Sequence, residues 1–117
     1  GDKITLKDTF RLLAKACDRG HRWQQALRLI QREQEASLAV EPRDYSEASS
    51  ACQKSHAWAS SLRILTNAEK AAKQFKDYKV DASIYLNALN ALEPYGYWDK
   101  ALLVLRKIRK EGHRLDS

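Results

Sequence analysis

Trp23, Trp58 and Trp98 stand 35 and 40 residues apart, and the same two offsets recur at other apolar positions. Phe10, Tyr45 and Tyr85 keep them, as do Cys17, Cys52 and Leu92. So do Leu27, Leu62 and Leu102, then Leu29, Ile64 and Val104, then Ile30, Leu65 and Leu105. Six apolar positions in phase define three repeated units, each a small element that buries its apolar face only against its neighbours. A 117-residue chain of this kind is one short array, not two independent globules.

Each unit reads as two helices. The first carries apolar residues at i, i+3 and i+7: Phe10, Leu13 and Cys17, then Tyr45, Ala48 and Cys52, then Tyr85, Ala88 and Leu92. Five residues follow, holding Gly20, Pro94 and Gly96 where the helix must stop and turn. The second helix begins at the tryptophan, which its shared phase with Leu27, Leu62 and Leu102 assigns to the seam between the two helices. The pattern predicts helices near 5–18, 22–36, 43–54, 57–78, 82–93 and 97–111. Pro42 suits the start of the third, Asp81 the cap of the fifth and Gly112 the end of the sixth. Five extra residues separate the second and third units. Thr66-Asn67-Ala68-Glu69 has the form of a capping box that would break the fourth helix. The unbroken periodicity favours instead one long helix running through Phe75 and Tyr78, and these two side chains either fold back over the third unit or, with Lys70, Lys73, Lys76 and Lys79, offer an edge of cations and apolar anchors to a partner.

The period, the aromatic placed seven residues before Cys (Phe10 and Cys17, Tyr45 and Cys52), and the Ala-Leu pairs Ala26-Leu27 and Ala101-Leu102 resemble the pentatricopeptide repeat family. Val40-Glu41-Pro42 and Gly112 with Asp116 at unit ends strengthen the likeness, which spans units at 7–43, 44–81 and 82–116. Tetratricopeptide repeats share the architecture but place a proline late in the second helix, which is missing here. The resemblance implies an all-α fold, a short right-handed α-solenoid of six helices in three antiparallel hairpins. It also implies a mitochondrial or plastid location, with any targeting segment removed, and single-stranded RNA read at about one base per repeat. The family's reading positions fall on Arg11 with Arg43, Ser46 with Asp81, and Leu86 with Asp116. Only Ser46 with Asp81 fits the family's preference. Leu86 has no hydrogen bond to offer a base, and Arg11 with Arg43 suits phosphate. Helix positions one turn apart should line the concave surface, and there only the first unit is basic, through Arg11 and Lys15.

The net charge of +6 permits a nucleic-acid or acidic partner without demanding one. Lys100, Lys107, Lys110 and Arg114 share one face of the sixth helix with Leu103, a stripe that reads either as a solvated face or as a site for an acidic or phosphate-bearing partner. Tyr95 and Tyr97, in the last turn, are expected to be exposed to a partner. Cys17-x3-His21 and Cys52-x3-His56 imitate a zinc set, but stacked units hold equivalent ligands too far apart, so neither a metal nor a disulfide is expected. No nucleophile–base set, phosphate loop or zinc-protease motif occurs, so no enzyme, cofactor or small-molecule substrate is expected. The longest aliphatic run, 101–105, is far too short to span a bilayer. Ile4 and Leu12 at one end, and Leu103 and Val104 at the other, lie off the seam and call for cover. Two functions follow: a structural subunit docking on a larger assembly through protein contacts, favoured because packing positions persist where reading positions have decayed, or an RNA-binding module of little specificity.

Overall fold

The computed structural model describes residues 5–20, 22–36 and 40–111, which form six α-helices and no strand. They are α1 (Leu6–Arg19), α2 (Trp23–Glu35), α3 (Pro42–Lys54), α4 (Trp58–Gln74), α5 (Ala82–Leu92) and α6 (Trp98–Lys110), with a 3₁₀ turn at Glu93–Tyr95. Ile4, His21, Gly112, Arg114 and Asp116 lie outside the described residues. Among the described residues, no helix is long and apolar enough to cross a membrane.

The first helices of the units are capped in the ordinary way. The Thr5 hydroxyl accepts the Asp8 N–H at 3.1 Å, and Asp81 accepts the Ser83 N–H at 3.0 Å. Pro42 opens α3, where its missing N–H costs nothing. The second helices start without a side-chain cap. Arg22, Ala57 and Tyr97, in phase with one another, instead share one backbone geometry, with φ −96, −84 and −78° and ψ 67, 73 and 76°. The preceding helices close alike as well: Arg22 N–H reaches Cys17 O at 2.7 Å and Ala57 N–H reaches Cys52 O at 2.8 Å. The second of these belongs to a Schellman turn, with His56 N–H on Gln53 O and His56 in the left-handed region at φ 56°. Gly96, its counterpart in the third unit, sits at φ 63°.

The helices stack in order. α3 packs against α1 and α2 on one side and α4 and α5 on the other, and α5 packs between α3, α4 and α6. Their centre is apolar: Ile64, Leu65, Ile84, Tyr85 and Leu92 are all at most 1% exposed. The molecule is accordingly elongated, 52 × 32 × 25 Å.

Three expectations need correction. α4 runs unbroken past Thr66, whose hydroxyl donates back to Leu62 O at 3.1 Å, but it ends at Gln74 and does not reach Tyr78. Phe75 turns extended at φ −112°, ψ 121°, and the turn brings the Tyr78 ring edge-on to Tyr45 at 6.1 Å and buries Val80. Burying those two side chains outweighs one more helical turn in solvent. Trp98 is 71% exposed, whereas Trp23 and Trp58 are half-buried against the core. Among the described residues no helix covers α6 on that side, as α3 and α5 cover the preceding pairs. Val104 is 1% exposed and part of the core; Leu103 beside it is 54% exposed.

The left-handed turn residues yield a reciprocal test. His56→Gly relieves backbone strain and should raise stability by about 0.5–1 kcal/mol in urea denaturation. Gly96→Ala, whose added Cβ meets nothing within 4 Å, should lower it by about 1 kcal/mol through φ alone.

Candidate functional site

Three of the positions that resemble base readers, Arg11, Ser46 and Asp81, have partners within the protein. Lys7 Nζ lies 2.6 Å from Glu41, and Arg11 stands 3.9 Å from both Glu41 and Asp8. The Lys7 ammonium, hydrogen-bonded to Glu41, holds that carboxyl below the usual carboxylate range. One glutamate at the head of α3 thus engages both Lys7 and Arg11. Ser46 donates its hydroxyl proton to Pro42 O at 3.2 Å, and Asp81 caps α5, so each is held by its own backbone. Lys15 and Arg43 are exposed, as is Leu86 at 56%.

The predicted stripe on α6 divides. Lys107 crosses to Glu69 of α4 at 2.6 Å, joining two helices that have no Cα atoms within 8 Å of each other. Lys100 lies 5.4 Å over Trp58 and 5.2 Å over Tyr97, as a cation on two ring faces. Lys110 and Leu103 are both exposed, and Arg114 lies outside the described residues. Of the expected edge anchors, Phe75 is 53% exposed while Tyr78 packs inward on Tyr45.

Tyr95 and Tyr97 are partly exposed but fixed in place. They stack at 5.5 Å and 11°, Tyr97 meets Trp58 edge-on at 5.0 Å, and the Tyr95 hydroxyl donates to His56 O at 3.0 Å. This aromatic clasp joins the second turn to the third. Sequence reasoning missed it because a tyrosine in a Gly- and Pro-containing turn carries no periodicity to show which way it faces.

Besides Phe75 and Leu86, exposed apolar side chains lie on the first and last helix pairs. Leu12 is 66% and Leu13 46% exposed on α1. At the other end a groove of about 300 Å³ runs between α5 and α6, lined by Leu89, Leu92, Trp98 and Ala101 with Glu93 at its rim. Cys52 is fully buried, which pushes its thiol up to about 12, while His56 is exposed. Among the described residues no three His, Cys, Asp or Glu side chains converge as a metal set.

A buried acid pair joins the first unit to the second. Glu33 of α2, 2% exposed, faces Asp44 of α3, 6% exposed. The other units place Ala68 and Ile108 at the Glu33 position, both buried. Asp44 also accepts the Glu41 N–H at 2.9 Å. Burial, then the Asp44 charge and a hydrogen bond to Asp44, push Glu33 up to about 7. Its native pKa lies above the unfolded value, so the native state binds more protons and stability falls as pH rises from about 4.5 through 7. Glu47, also raised by burial, acts in the same direction, and Glu41 titrates below this window. Urea denaturation should show a loss of about 1–3 kcal/mol between pH 5 and 8, and Glu33→Gln should flatten most of it.

A scan against protein-family models finds no match for this chain, and a comparison with curated proteins finds none either.

Proposed function

We propose that this protein is a non-catalytic helical-repeat scaffold, three pentatricopeptide-like units in a short right-handed α-solenoid, that joins a larger organelle assembly through protein contacts. The observation that carries this reading is the distribution of unsatisfied surface. Arg11, Ser46 and Asp81, at the reading positions, are engaged within the protein, while Leu12, Leu13, Trp98 and Leu103 are left exposed towards the ends. Polar groups already paired add little to binding a nucleic acid, whereas apolar surface at the ends gains by being covered. No cofactor, metal or small-molecule substrate enters this reading.

A titration of labelled single-stranded RNA at low salt is the test. The scaffold reading expects no saturable binding. Binding whose affinity falls with salt by several phosphates' worth would overturn it in favour of an RNA module. Arg11→Ala with Lys15→Ala would then show whether the first unit is the site.

A further inference from the structure

The two exposed ends are complementary halves of the contact that the units already make with one another. On α3 the stripe Asp44, Ala48 and Ala51 is buried, and on α5 so is its counterpart Ile84, Ala88 and Ala91. The Asp44–Glu33 contact shows that this stripe faces the preceding pair of helices. In α1 the same phase holds Thr9, Leu13 and Ala16, and all three are exposed, although Ala51 and Ala91 are both 0% exposed at the Ala16 position. The second helices show the converse. Ala26 with Ile30, and Ser61 with Leu65, are buried, whereas Ala101 and Leu105 of α6 are only half-buried and Trp98 is open.

Charge follows the same register. The Asp18–Lys54 pair, 2.9 Å, ties the end of α1 to the end of α3. In phase with Asp18 the last unit has Glu93, and in phase with Lys54 the first unit has Arg19, both exposed. We propose that a second copy of this chain docks head to tail, its α1 seated in the α5–α6 groove in the register that α3 and α5 use within the chain, with Arg19 of one copy on Glu93 of the other. Arg22, in phase with the Tyr97 that covers Trp58, then covers Trp98. Such a contact is heterologous, so it grows into rings or open rows and not into closed two-fold dimers.

One junction opposes it. Where Glu69 meets Lys107 inside the chain, the docked copies bring Arg109 against Arg32. Like charges there keep the association weak and concentration-dependent.

Sedimentation velocity across a concentration series tests this. Leu13→Glu removes the head and Trp98→Glu removes the tail, both at side chains exposed enough for circular dichroism to report an intact fold. Wild type should associate, each variant alone should stay monomeric, and an equimolar mixture should form a one-to-one pair. Arg19→Glu and Glu93→Arg should each weaken association by about threefold and together restore it. Arg109→Glu should tighten it, and Lys110→Glu, an equal change in net charge, should not match that gain. A monomeric wild type, a mixture that stays monomeric, or a single variant that self-associates overturns the proposal. The inference rests on the packing register. Its failure leaves the scaffold reading standing with a different protein partner, whereas RNA binding would defeat that reading and leave the self-contact to be judged by sedimentation.

Discussion

Alanine at one stripe of each inner helix governs how this molecule is assembled. Ala48, Ala51, Ala88 and Ala91 are all at most 2% exposed, and their small side chains let α3 and α5 lie close against the pair before them. Large residues such as Tyr85 and Leu92 then fill the space on the adjacent stripe. Enlarging any of these alanines would force neighbouring backbones apart, because the opposing surface is itself helix. The rest of the structure, from the turn geometry to the placement of the tryptophans, is arranged around this close approach.

The helices were legible because the apolar phase is carried by side chains whose burial the stacking requires. Phe10, Tyr45 and Tyr85, or Leu29, Ile64 and Val104, mark the same place in each unit, and five of these six are buried while the sixth, Phe10, is half-buried. Boundaries failed where tertiary contacts decided them. The fourth helix ends early because Tyr78 finds Tyr45, a contact between residues 33 positions apart that no local pattern encodes. Trp98 was misassigned for a related reason: phase reports the seam, but exposure depends on what covers the seam from outside.

The candidate surface was less legible than the fold. Sequence spacing placed Arg11, Lys107 and Tyr95 on plausible faces but could not show that Glu41, Glu69 and the His56 carbonyl already occupy them. Each of these partners lies about 30 to 40 residues away, Glu41 at the head of α3 and the other two in the neighbouring unit, so the interactions that remove residues from a binding surface are those that tie one helix pair to the next. The buried Glu33 was invisible in the same way. It occupies a position where Ala68 and Ile108 stand in the other units, and burial first, then the neighbouring Asp44, raises its carboxyl.

The distribution of burial along the stack also sets the order in which it comes apart. In α1 only Ala14 falls below a tenth exposed among the described side chains, whereas α5 buries Ile84, Tyr85, Ala88, Ala91 and Leu92. Ion pairs at Glu41 and Asp18 tie α1 to α3, and most of the apolar burial of the first helix pair comes from Ala26, Leu29 and Ile30 of α2. Local opening free energy should therefore rise from the amino-terminal helix towards the middle of the chain. Amide exchange becomes a map of that gradient: α1 exchanges by fraying, while α5 exchanges only when the whole cooperative unit opens.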